Sequence, residues 1–255
     1  MVFVAICYRG LEAASTYFLS PFYSLIVREQ VDQDKKAFFV EKCCHTTSQI
    51  LYFTVVVIWG YQVLSETDWL PYVMGGSLPI KVAVNNALTG LPFATVPPSI
   101  VNYCMLTMGY HFHDLVYHVL FKEKQTDYYE MLLHHIVTIL LYFSMNFGGV
   151  MALGSVTALL HDLADIPIAL CRLINSTIYF KKSVPLFLLL LVVWFWTRIF
   201  VFSQLIYLMV KFDFSEDCRV FMLINGVFLC ILFCIHIFYF HLMFDLLFNK
   251  IVAKG

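Results

Sequence analysis

The 255-residue chain is 61% apolar and 13% charged, where soluble domains carry about 45–50% and about 25%. Sixteen Lys and Arg almost cancel seventeen Asp and Glu, leaving a net charge of -1, which excludes a basic nucleic-acid binder and an acidic disordered tail. A soluble globule of this size has no interior for so much apolar surface, so the predicted class is an all-α, polytopic membrane helix bundle.

A helical span needs about 20 apolar residues, and in chain order a weak candidate comes first, 2–27, interrupted by Arg9 and Glu12. It has no basic region before the apolar run and no small-residue cleavage site, so it is expected to be a retained span. Six stronger stretches follow at 43–64, 97–121, 131–148, 150–172, 185–210 and 220–248. They predict a six-helix core with a seventh, N-terminal helix. Pro97-Pro98 suits a first helical turn, and Gly148-Gly149 a tight hairpin. The Pro- and Gly-rich stretch 65–96 reads as a long loop, with a re-entrant portion left open. The expected organisation is an N-terminal helix and linker over 1–37, a membrane domain over 38–250 and a short tail over 251–255. The eight Cys lack paired metal-site spacing and read as buried free thiols.

Basic residues set orientation. Eleven Lys and Arg fall in segments 28–42, 122–130, 172–184 and 249–255, against Lys81, Lys211 and Arg219 on the other side. The positive-inside rule makes the richer side, with the C-terminus, cytosolic. Asn175-Ser176-Thr177 then faces the cytosol and is not expected to be glycosylated.

Ionisable groups inside spans are costly and point to function. Asp127 and Glu130 resemble a capping box opening the 131–148 helix, and Glu130, His134 and Thr138 share a face at i, i+4 spacing. His135 stands beside His134. The next span carries His161, Asp162 and Asp165 in its second half. At about 1.5 Å per residue, His134 lies roughly 6 Å and Asp165 roughly 10 Å from the cytosolic end. With a tight turn joining the two helices, two His and two Asp are expected to converge at similar depth, with Pro167 loosening the backbone beside Asp165. The 97–121 span adds His111, Asp114 and His118 on one face, with His113 beside it. Arg198 lies near the bilayer centre and calls for a carboxylate or polar partner.

A His oriented by a carboxylate can take a proton from a nucleophile or attack an acyl group itself. Either role suits acyl transfer from a thioester to an amine or hydroxyl, and an apolar substrate explains a site sunk below the membrane surface. The bland alternative is that His–Asp pairs only tie helices together. A metal centre is the rival, but His111-Phe112-His113 and the bare His134-His135 pair lack the spacing of membrane di-iron sites. No metal is expected.

The run from Asp127-Tyr-Tyr-Glu130 through His134-His135-Ile-Val-Thr138 resembles the D-F-x-E…H-H-I-x-T segment of the TLC family, and within it of the ceramide synthases. His161-Asp162-Leu-Ala-Asp165 is similar to the H-D-x-S-D signature, with Ala164 where Ser is common. Phe39-Val40-Glu41-Lys42, Trp196-Thr197-Arg198, the Leu173-Ile174-Asn175 step and His236-Ile-Phe-Tyr-Phe240 extend the likeness over most of 38–250, with a fainter echo in Leu19-Ser20-Pro21-Phe22. The departures are a missing homeobox-like insert, no Trp near Cys43-Cys44, and His113-Asp114 in place of Trp-Ser.

The resemblance implies N-acylation of a sphingoid long-chain base by a fatty acyl-CoA, with no bound cofactor, in the endoplasmic reticulum membrane. It implies catalytic roles for His134, as nucleophile or base, and for Asp165, which would orient it, with His135 and Asp162 completing the motif. Asp114, His118, Glu130, His161 and Arg198 are expected to support or bind substrate. Lys122, Lys124, Lys181 and Lys182 could attract CoA phosphates or only set topology. The 211–219 connection corresponds to the family's loop for acyl-chain-length choice. Membrane lipids, acyl-CoA and the sphingoid base are the expected partners, with a homo- or heterodimer or a small accessory subunit left open. The alternative function is a non-catalytic TLC-family membrane protein that senses or carries lipids or organises cargo.

Overall fold

The structure is a computed structural model that describes residues 2–27, 33–120, 128–180 and 183–249. Among these residues every regular element is a helix, with no strand beyond two isolated bridges. The helices are α1 (Val2–Ile26), α2 (Gln33–Ser65), α3 (Ile80–Leu88), α4 (Pro98–Leu120), α5 (Tyr128–Phe147), α6 (Met151–Ser176), α7 (Ser183–Trp194), α8 (Phe202–Lys211) and α9 (Glu216–Leu247). A π-helical segment, Phe195–Val201, joins α7 to α8 into one rod. Asp127, Arg28, Lys122, Lys124, Lys181, Lys182, Lys250 and the 251–255 tail lie outside the described residues.

Five helical stretches are long and apolar enough to cross a membrane: Lys36–Ser65, Tyr128–Phe147, Met151–Ser176, Ser183–Lys211 and Glu216–Leu247. The protein is therefore a multi-pass, all-α membrane protein. Two further helices expected as spans, α4 and α1, are long but not apolar enough to join that set. The reason is a polar face on each: α4 carries His111, His113, Asp114 and His118, and α1 carries Arg9 and Glu12. Buried His113, His118 and Glu12 show those faces turned into the bundle.

Helix α6 is the axle. Its pairing with α2 is the most extensive in the molecule, and it also touches α3, α4, α5, α7 and the π segment. Small buried residues along it, including Ala152, Ser155, Ala158, Ala164 and Ala169, let neighbouring backbones approach closely, which drives helix packing where lipid supplies no hydrophobic gain. Consecutive α5 and α6 turn tightly at Gly148-Gly149, as expected. Gly149 has φ +74°, and a Cβ there would run into the carbonyl of Pro92. Yet their pairing is slight, because a cavity separates them.

The stretch expected as loop, 65–96, holds a 3₁₀ turn at Tyr72–Met74 and the helix α3. Ala83, Val84, Ala87 and Leu88 are buried on one face of α3, which packs on α8 and α6. The flanking Pro and Gly residues masked this short amphipathic period. The cysteines of the described helices are all free, but Cys7, Cys230 and Cys234 are exposed, contrary to the expected burial. On outward faces in lipid, a thiol is a small hydrophobe like any other.

Candidate functional site

Two cavities meet inside the bundle. The first, about 760 Å³ of space between side chains with part of it open, runs among α5, α6, α8 and α9 and is walled mainly by apolar side chains such as Leu141, Met145, Leu153, Met209, Leu229 and Leu232. The second, about 990 Å³, is the more polar and lies toward the end where α4 finishes and α5 begins; Gln49, Asp114, His135, Arg172 and Tyr239 are among its walls. Four residues line both: His111, His134, Asp165 and Arg198.

At this junction Arg198 organises the polar groups. Its Nη2 donates to Asp165 Oδ1 at 2.8 Å and to the His161 carbonyl at 3.0 Å. Asp165 is thus the carboxylate partner that an intramembrane Arg requires. The π segment supplies the register. Its wider turn puts Thr197, Arg198 and Val201 on the buried side while Phe195, Trp196 and Phe200 face outward. The guanidinium carbon also lies 5.2 Å from the centroid of the Trp194 ring.

An imidazole pair stands next to it. His161 Nδ1 lies 2.8 Å from the Thr157 carbonyl, and His161 Nε2 lies 2.9 Å from His236 Nε2. A carbonyl only accepts, so His161 carries a proton on Nδ1; Arg198 Nη1, which only donates, also lies 3.5 Å from His236 Nε2. The His236 ring is also 5.9 Å from that of His134, centroid to centroid. Trp194 Nε1 donates to the His236 carbonyl at 3.1 Å, tying α9 to α7.

The predicted residues are therefore divided between places. His134 and Asp165 share both cavities, but the Asp165 carboxylate bonds Arg198 rather than His134. His135 turns toward α4, its Nε2 3.7 Å from Asp114 Oδ2, and both line the second cavity. Asp162 is fully buried and lines neither cavity; it faces α4, 3.6 Å from His111 Nε2, and no hydrogen bond to its oxygens is found among the described residues. Of the four groups expected to converge, His134 and Asp165 share the junction of the cavities, while His135 and Asp162 face α4 beside Asp114 and His111. His118 pins the end of α4 to the start of α5 through Tyr128, its Nε2 3.1 Å from the backbone carbonyl. Glu130 Oε2 and Thr138 Oγ1 are buried without a hydrogen-bond partner among the described residues, and Thr138 lines the first cavity. No group of three His, Cys, Asp or Glu among the described residues is arranged to hold a metal.

Two features escaped the sequence-based site. One is His236, 1% exposed, in the most apolar helix of the bundle, which also carries the exposed His241. The sequence shows it only as part of the family likeness, five residues from a second histidine on the same helix. The other joins α1, α2 and α4. Glu12 bonds Arg9 at 2.7 Å and His45 Nδ1 at 2.7 Å, with His113 Nε2 at 3.8 Å. Glu12, taken as an interruption, is one of the groups that attach α1 to the core, along with buried Tyr8 and Tyr23.

Comparison with known proteins bears on the same region. The TLC domain family model matches residues 42–245. Ceramide synthase 4 of Homo sapiens is 26% identical over 183 residues, 71% of this chain and 43% of the relative. Ceramide synthase 4 of Bos taurus is 25% identical over 232 residues, 89% of this chain and 55% of the relative. Ceramide synthase hyl-1 of Caenorhabditis elegans is 24% identical over 156 residues, 61% and 39% respectively. The chain spans about half the length of these relatives. The matched segment holds both cavities and every predicted site residue, and the chain belongs to the TLC-domain family.

Proposed function

We propose that this protein is an N-acyltransferase of the ceramide synthase type, moving a fatty acyl group from acyl-CoA to the amine of a sphingoid long-chain base in the endoplasmic reticulum membrane. The observation that carries this reading is the junction: His134, Asp165 and Arg198 stand where an apolar cavity meets a more polar one. The apolar cavity suits an acyl tail. Its far wall includes Met209 and Met222, which flank the short connection between α8 and α9. The polar cavity opens toward the end made cytosolic by the basic residues, so the hydrophilic CoA approaches from there. Arg172 on its wall offers a guanidinium to phosphate.

In this reading His134 faces the acyl carbonyl at the junction, as nucleophile or as base. Thr138 is one turn further along the same face, and its hydroxyl can donate to the carbonyl oxygen. The Arg198–Asp165 pair holds α6 against the π segment beside the reacting centre. His161 and His236 provide a second, hydrogen-bonded imidazole pair within ring contact of His134.

The test is acyl transfer from acyl-CoA to sphinganine in membranes expressing this chain. His134→Ala should lower the rate by about 10²–10⁴-fold, the range for losing a general base, with the protein still folded. Activity that survives both His134→Ala and Asp165→Ala overturns the mechanism. A folded wild-type protein with no transfer overturns the enzyme reading and favours the non-catalytic lipid-sensing, lipid-transport or cargo role. One observation speaks for that second reading: Asp165 bonds Arg198, not His134.

A further inference from the structure

Asp162, Asp165 and Asp114 surround the junction, and the fold uses them differently. The Asp165 carboxylate bonds Arg198, and Asp162 is sealed away from both cavities. Asp114 lines the polar cavity with its side chain 26% exposed, and His135, 3.7 Å away, lines it too. His135 in turn adjoins His134, their ring centroids 5.7 Å apart. A carboxylate at a cavity wall, an imidazole 3.7 Å from it, and the reacting imidazole next along the helix form an ordered path. This chain has Asp at 114 where the family pattern has Ser.

We propose that Asp114 anchors the ammonium group of the acceptor and that His135 takes its proton; this rests on the N-acyltransferase reading above. A long-chain amine is cationic near neutral pH and cannot attack a carbonyl until it loses a proton. Asp114 attracts the ammonium into the polar cavity. The ammonium gives one proton to His135, and the Asp114 carboxylate stabilises the imidazolium that results. The freed lone pair forms the C–N bond, and the carbonyl carbon's bond to the CoA sulfur breaks. The second proton on nitrogen passes through His134 to the departing thiolate, giving amide and free thiol, and His135 returns its proton to water in the open cavity. Arg172 and Arg198 line the same cavity; Arg198 is matched by Asp165, and Arg172 is left to the anionic donor. An acceptor without an amine gains nothing from Asp114.

The experiment compares octadecylamine with octadecanol, which share a chain and differ in the polar group, as ligands of the purified full chain in detergent and as competitors of sphinganine in membranes. Octadecylamine should bind the wild type more tightly than octadecanol by about tenfold or more, the worth of one charge-assisted hydrogen bond. Asp114→Asn should erase that difference and raise KM for sphinganine, leaving octadecanol binding and KM for acyl-CoA within about twofold. Asp114→Glu should restore amine preference, and its retention covers the case of an Asn variant that fails to fold. An Asn variant that loses amine and alcohol binding equally, or keeps amine preference, overturns the proposal, as does a wild type that does not distinguish the two ligands. Transfer without any effect of Asp114 sinks the anchor alone. Asp114-dependent amine binding without transfer sinks the acyltransferase reading alone.

Discussion

Arg198 is 3% exposed in the middle of a rod of Phe, Trp, Ile and Val. Removing one partner of such a pair strands a buried charge, whereas replacing both by apolar groups is often neutral. Asp165→Leu alone should therefore destabilise the protein by about 3–5 kcal/mol, and Asp165→Leu with Arg198→Met should recover most of it. Denaturant unfolding in mild detergent measures both. The need for a partner was legible in the sequence, because an Arg at mid-span has few options. Which of three nearby carboxylates answered it was not. Asp162 and Asp165 lie three residues apart on α6, and only the packing of the π segment against that helix selects Asp165.

Among elements, the π segment is the one whose irregularity has a use. A π turn places an extra residue in the helix, and here Arg198 lies within it. Deleting Phe195 should restore α-helical register, rotate Arg198 by about 100°, the turn per residue of an α-helix, and separate it from Asp165. Transfer should be lost although every polar side chain remains, and a lipid acyltransferase assay of the deletion checks it. Helix α1 provides a second case. Glu12→Ala leaves His45 and Arg9 without their shared carboxylate and should cost about 1–3 kcal/mol, read as faster proteolysis between α1 and α2 while the α2–α9 core stays resistant. Periodicity alone could not reveal either feature. It marks a helix as apolar, and says nothing of an inserted residue or of which neighbour meets a lone charge.

For the whole molecule, the decisive arrangement is two cavities sharing one wall. A bulky residue set into the apolar cavity should limit the tail it accepts. Leu232→Trp should leave transfer of short acyl groups intact and reduce that of long ones by about fourfold for each methylene kept out of the cavity, at about 0.8 kcal/mol per buried methylene. Rates with an acyl-CoA series of graded length check this. The separation of α5 from α6 makes that cavity. It leaves His134 and Asp165, expected to converge at similar depth beside the Gly148-Gly149 turn, lining the same cavities while Asp165 bonds Arg198. A turn sets where two helices begin together, but side-chain volume and the third and fourth helices set how far they part.

The amino-acid sequence by itself determined the helical membrane class, the side that collects the basic residues, the family and the two polar motifs. These follow from composition, charge placement and short spacings, all of which are local along the chain. The tertiary structure alone decided the grouping of the polar residues: Asp165 with Arg198, His161 with His236, Asp162 with His111, and Asp114 with His135. Each pair joins residues on different helices. Their meeting depends on helix rotation and separation, quantities that side-chain packing sets and linear spacing does not contain.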